Sequence, residues 1–159
     1  ISDGQYQRLR GYLYDARALG LDVVELATIN ATQSTNERLL PPTLVLEPGD
    51  DAKVMQEEIF GPILPAMPFD DLDSAISKIK EGSKPLALYM FTKSESTQSK
   101  ILNEISFGGG CVNDTIMHIS NPHLPFGGVG ASGMGNYHGC NCRPDAASVR
   151  HVPRLWVAD

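Results

Sequence analysis

The residues able to do chemistry in this chain of 159 residues fall into four groups. Cys111 follows three glycines, with His118 within reach along the chain. An imidazole beside a thiol lowers the thiol pKa and makes a nucleophile. A small cysteine in a buried strand is the commoner arrangement, and it is the favoured reading. Glu57-Glu58-Ile-Phe60-Gly61-Pro62 sets two carboxylates, an aromatic ring and a Gly-Pro turn side by side. A carboxylate accepts hydrogen bonds from the paired hydroxyls of a sugar, and a ring packs a flat heteroaromatic. Read as a hexapeptide alone, the same segment is better taken as a solvated acidic helix end.

Gly128, Gly130 and Gly133 form a G-x-G-x-x-G pattern. A dinucleotide fingerprint needs a strand before it and a helix after it. Pro122-His-Leu-Pro125 precedes this one and no helical period follows, so a tight packed loop is expected. His138, Cys140 and Cys142 are spaced H-x-C-x-C, which matches none of the common zinc patterns. No metal site is expected there.

These groups must be positioned by regular elements. Ser2 and Gln5 form a capping-box pattern, followed by Tyr6, Leu9, Leu13 and Ala16 at helical spacing and by Gly20 as a stop. Val23 to Leu26 and Thr43 to Leu46 read as strands, separated by a polar loop over Asn30 to Glu37. Val54 to Ile59 reads as a short helical turn and Ile63 to Phe69 as extended chain. Asp71 or Asp73 caps a helix that Gly82 closes. Leu86 to Phe91, apolar throughout, is expected to be a strand buried on both faces. Glu95 to Ile105 forms a further helix and Gly110 to Asn113 a short strand. Strands and helices alternating at this interval are the rhythm of parallel βαβ units, so the fold class is α/β.

Composition narrows the partners. The chain is 42% hydrophobic and 20% charged, which suits an ordinary packed core. Its formal charge of −6 argues against nucleic acid or an anionic membrane surface. The longest apolar run, Leu86 to Phe91, is far too short to span a bilayer. Three cysteines make no disulfide framework, and a cytoplasmic setting is expected. Nine of the 15 glycines lie between Gly108 and Gly139, which marks a site-forming loop segment where backbone must approach something closely.

Several ordered motifs carry a resemblance. They are Met55-Gln-Glu-Glu-Ile-Phe-Gly-Pro-Ile-Leu-Pro65, Lys84-Pro-Leu-Ala-Leu-Tyr-Met-Phe91, Gly109-Gly110, Val112-Asn113-Asp114, Leu124-Pro-Phe-Gly-Gly-Val-Gly-Ala-Ser-Gly-Met-Gly135 and Tyr137-His-Gly139. With them Pro42 to Gly139 resembles the C-terminal half of the aldehyde dehydrogenase catalytic domain, in the manner of the class 3 and fatty and coniferyl aldehyde dehydrogenase branch. Ile1 to Gly11 looks like the family's helix after the nucleophile region. The resemblance implies a three-layer α/β domain with a mostly parallel sheet and flanking helices over residues 1–139. It also implies oxidation of an aldehyde to a carboxylic acid with NAD or NADP. A cysteine thiolate attacks the carbonyl, hydride passes to the nicotinamide, and a glutamate-activated water hydrolyses the thioester. Glu58 would hold the nicotinamide ribose hydroxyls and Phe60 would pack near the nicotinamide ring. Ile116, Ile119, Ser120 and Phe126 would line the substrate tunnel, and Asn113 would support the loops around it. An apolar tunnel of this kind suits an aromatic or medium-chain aldehyde.

Other family motifs are not found in this sequence. The nucleophile's Gly-Gln-x-Cys context and the general base's Glu-Leu-Gly-Gly-Lys context do not occur. Cys111 matches neither, so no catalytic residue is assigned. The expected partner is the N-terminal nucleotide-binding part of the same enzyme, without which the chain would be inactive and hold no cofactor tightly. Residues 140–159 depart from the family's oligomerisation strand, so the tail is divergent and a homo-oligomer is only one option. The rival reading is a non-catalytic α/β assembly or interaction module derived from the same family.

Overall fold

In the computed structural model, residues 2–27 and 38–137 are described. The chain divides into two compact units, Ile1–Asp70 and Asp71–Asp159.

The first unit opens with helix α1, Asp3–Ala18. Ser2 caps it, its hydroxyl accepting from the Gln5 N–H. The pattern expected a reciprocal box. Instead the Gln5 side chain accepts from Arg8 Nε at 2.8 Å. Leu9, Tyr12, Leu13 and Ala16, one face of α1 at helical spacing, are all buried. Gly20 takes a left-handed φ of +77° just past the helix end. Strand β1 (Val23–Glu25) pairs antiparallel with β2 (Thr43–Leu46), which pairs parallel with β3 (Ile63–Ala66). The short helix α2, Lys53–Gln56, lies between β2 and β3 in the chain. Val45, Ala52, Val54 and Ile63 complete the core with the buried face of α1. The expected turn over Val54 to Ile59 is shorter, because Glu57 is already extended. The loop expected over Asn30 to Glu37 lies outside the described residues.

The second unit begins with α3, Leu72–Glu81, capped by Asp71. The Asp71 carboxylate accepts from the Ser74 N–H and hydroxyl, both at 2.8 Å. Those bonds hold its pKa below the usual carboxylate value. Strand β4 (Ala87–Met90), helix α4 (Glu95–Glu104, capped by Ser94) and strand β5 (Gly109–Val112) follow, with β4 and β5 parallel. Ile76, Ile105 and Phe107 form this unit's core. Among the described residues two of the three strand pairings are thus parallel, and the α/β class stands.

Two expectations need correction. The Leu86–Phe91 run is not buried on both faces: Leu86 is 41% and Phe91 68% exposed, and only Met90 in β4 is buried. An unbroken apolar run speaks of both faces at once, but β5 is its only strand partner among the described residues. The segment after Ser106 is also not wholly irregular. It contains the short helix α5 (Met117–Ser120) and a 3-10 turn at Gly130–Ser132. Among the described residues no helix is long and apolar enough to cross a membrane.

Candidate active site

In the first unit, the acidic hexapeptide is built on α1. Arg8 reaches across with its guanidinium. Nη1 donates to the Glu58 carbonyl at 3.0 Å and Nη2 to the Ile59 carbonyl at 2.7 Å. A planar fork that meets two successive carbonyls fixes the path of the backbone between them. Arg8 also donates to the Tyr12 hydroxyl, and that hydroxyl donates to Glu57 Oε2 at 2.9 Å. Behind the segment, a Cβ on Gly61 would sit 2.6 Å from Leu9 Cδ2, so any larger residue there would have to displace the buried Leu9 side chain.

The next residue along the strap is strained. Phe60 has φ +44°, in the left-handed region that bulky side chains rarely adopt. Its ring is 87% exposed, and Glu58 is exposed beside it in sequence. Backbone strain at a named residue held by surrounding bonds is a mark of functional sites. Glu57, by contrast, is tied down by Tyr12. Both adjacent carboxylates are exposed, and Glu57 is the one that Tyr12 engages.

In the second unit, the other candidates gather around β5 and α5. Asn113 ends β5 at φ +58°, a conformation asparagine tolerates well. Its Oδ1 accepts from the Thr92 N–H at 2.8 Å and its Nδ2 donates to the Thr92 carbonyl at 3.1 Å. Ile116 then takes φ +66° and turns its side chain out, 62% exposed. Ile119 is 41% exposed, and Ser120 is exposed with its hydroxyl donating back to the Met117 carbonyl at 3.3 Å. Phe126 is half-buried, paired through its backbone to Tyr137.

His118, between the two isoleucines, points the other way and is 4% exposed. Its Nδ1 lies 3.7 Å from Cys111 Sγ, a sulfur hydrogen bond. Its ring lies 5.6 Å from the ring of Tyr89 and 6.3 Å from that of Phe126. Burial pushes the imidazole pKa below its ordinary value, which favours the neutral ring. Cys111 therefore faces a neutral base and is itself 2% exposed in β5. That is the buried strand cysteine favoured from sequence. A thiol-alkylating reagent at neutral pH should leave Cys111 unmodified in a Cys140→Ser/Cys142→Ser background until the protein is unfolded; rapid native labelling would mean that the strand opens.

The G-x-G-x-x-G segment closes on itself. A Cβ on Gly128 would sit 2.2 Å from the Ser132 carbonyl oxygen. The Ser132 hydroxyl accepts from the Val129 N–H at 2.9 Å and donates to its carbonyl at 3.0 Å. This is the tight packed loop, with its hydrogen bonds turned inward. His138, Cys140 and Cys142 lie outside the described residues. Among the described residues there is no group of three potential metal ligands.

The family description "Aldehyde dehydrogenase family" matches residues 1–152. The chain belongs to the aldehyde dehydrogenase family. A probable coniferyl aldehyde dehydrogenase of Pseudomonas aeruginosa is 48% identical over 139 residues, 87% of this chain and 28% of the relative. A substrate-bound structure of Staphylococcus aureus AldH, 47% identical, superposes with a TM-score of 0.74 over 86% of this chain and 28% of its own. An NAD+ complex of a Mycobacterium tuberculosis aldehyde dehydrogenase, 28% identical, gives 0.75 over 87% and 28%. The coniferyl branch read from the motifs is thereby supported. The chain spans about 28% of the length of the curated aldehyde dehydrogenases it matches. Arg8 and Tyr12 are the aldehyde dehydrogenase residues that sequence reasoning missed. Their signal was a cation and a phenol one helical turn apart on α1, beside its apolar stripe.

Proposed function

We propose that this chain is the C-terminal catalytic segment of an NAD(P)-dependent aldehyde dehydrogenase that oxidises aromatic or medium-chain aldehydes to carboxylic acids. The observation that carries the cofactor role is the strap on α1, with Glu58 presented and Phe60 exposed at a strained φ. An exposed carboxylate on a fixed backbone suits two adjacent ribose hydroxyls, each donating to one oxygen. The Phe60 ring suits a flat nicotinamide face. Bound there, the nicotinamide supplies the hydride acceptor.

Ile116, Ile119 and Phe126 supply apolar surface for the aldehyde, with Ser120 as a polar neighbour. Asn113 supports the loop that carries them. The attacking thiolate and the base that activates water come from the preceding part of the enzyme, as does the nucleotide-binding domain. The chain alone does not oxidise aldehydes and holds NAD(P) weakly.

Absorbance at 340 nm with NAD or NADP and a panel of aromatic and medium-chain aldehydes tests this. A flat trace is expected for the chain alone, and aldehyde-dependent reduction once it is joined to the missing part. Reduction by the chain alone, lost in Cys111→Ala, would overturn the division of labour. A second reading, an assembly module, rests on Phe91, Met134 and Tyr137, which are 68%, 97% and 75% exposed. A clean monomer in light scattering would remove it.

A further inference from the structure

We propose that His118 is a positioning residue that sets the presentation of Ile116 and Ile119, and so governs which aldehydes the enzyme prefers. This rests on the reading that those two isoleucines face the substrate.

The geometry begins with alternation in a very short element. Ile116, Met117 and Ile119 are 62%, 44% and 41% exposed, while His118 is buried. Helix α5 is too short to hold its own shape by hydrogen bonding alone. Its one buried side chain is therefore its attachment to the sheet. That attachment has a purpose-shaped seat. A Cβ on Gly109 would lie 2.7 Å from His118 Cδ2, so glycine in β5 is what admits the ring. Cys111, two residues further along the same strand, meets Nδ1.

The ring's other nitrogen is the telling feature. His118 Nε2 is buried with no hydrogen-bond partner among the described residues. An unmet buried polar atom is costly, and an apolar side chain of similar size avoids that cost. A histidine retained for packing alone gains nothing here over phenylalanine. What histidine adds is the directional Nδ1 contact to Cys111, which fixes the ring's rotation and the rotation of the turn that carries it. Ile116 needs that restraint, since a β-branched residue at φ +66° is held in place by its surroundings.

The test uses the complete enzyme and measures kcat/KM across a straight-chain aldehyde series and one aromatic aldehyde, with KM for NAD(P) in parallel. His118→Phe keeps the bulk and loses the nitrogen. It is expected to lower kcat/KM for the preferred aldehyde about tenfold and to flatten selectivity across the series, leaving KM for NAD(P) unchanged. His118→Asn, which replaces Nδ1 but not the ring, should recover part of the selectivity. Cys111→Ala, which removes only the sulfur contact, should resemble His118→Phe and serves if that variant fails to fold. Ile119→Ala controls the underlying reading. If Ile119→Ala alters selectivity while His118→Phe and Cys111→Ala do not, the positioning role is wrong and the lining role stands. If Ile119→Ala also leaves selectivity untouched, the lining role falls and the positioning role with it.

Discussion

Alanine at Gly108 is expected to lower stability by about 3 kcal/mol or more, a fall in Tm of about 6–12 °C for a chain of this size. A Cβ there would lie 2.2 Å from the Gly127 carbonyl oxygen and 2.6 Å from the Leu86 carbonyl oxygen. Both obstacles are backbone, so no side chain can swing aside. Moving Leu86 disturbs the entry to the β4–β5 pair, where the Gly108 N–H donates to Pro85 at 3.1 Å and the Gly109 N–H to Leu86 at 3.0 Å. Moving Gly127 disturbs the segment just after Phe126. Gly11→Ala provides the contrast within the same molecule. It lies inside α1 with nothing within 4 Å of its would-be Cβ. It should stabilise by about 0.5–1 kcal/mol, since alanine is the better helix former. Thermal or denaturant unfolding of both variants measures the difference. Equal midpoints would show that the 108–127 approach is looser than described.

Glu58→Ala in the complete enzyme is expected to raise KM for NAD(P) by about 5- to 150-fold, the range of a lost charge-assisted contact of about 1–3 kcal/mol. KM for the aldehyde should change far less. Glu58→Gln, which keeps an acceptor and loses the charge, should fall between. Steady-state kinetics with cofactor varied at saturating aldehyde reads the effect directly. An unchanged KM for NAD(P) in Glu58→Ala would remove the ribose role. Arg8 sharpens the interpretation, because it grips the same segment only through backbone carbonyls. Its loss would move Glu58 without altering it chemically.

Much of this was legible from local chemistry. Ser2 and Asp71, both read as caps, each accept from a first-turn N–H, while the Ser94 cap of α4 is one the sequence reading did not name. The apolar stripe of α1 sits in the core as its spacing required. Cys111 proved to be the buried strand residue that its small apolar neighbours suggested. Less was legible where long-range contacts decide. Gln5 looked like half of a reciprocal cap, yet a distant backbone at residues 58 and 59 draws Arg8 over, and Gln5 follows it. Helix α5 escaped notice because it is a single turn whose only periodic feature is one buried histidine. The exposed outer face of β4 could not be foreseen, since an apolar run states what could be buried and not what covers it. In the candidate site, residue types marked the hexapeptide and the family resemblance singled out Glu58 and Phe60 within it. Their presentation depends on Phe60's left-handed backbone, on which residue type is silent.

The Asn113 side chain has a consequence for how this part of the molecule tolerates change. By accepting from the Thr92 N–H and donating to the Thr92 carbonyl, one amide meets both backbone groups of Thr92, which in a parallel ladder would bond to two different residues of the neighbouring strand. The Asn113 N–H still donates to the Met90 carbonyl at 2.7 Å, and its φ of +58° turns the chain out of the sheet beyond that bond. The rung is complete, yet the chain beyond it is under no obligation to the ladder. Residues can be added or removed between Asn113 and His118 without shifting the register of β4 against β5. The amide acts as a ferrule: it finishes the sheet cleanly at the point where the chain turns out of it.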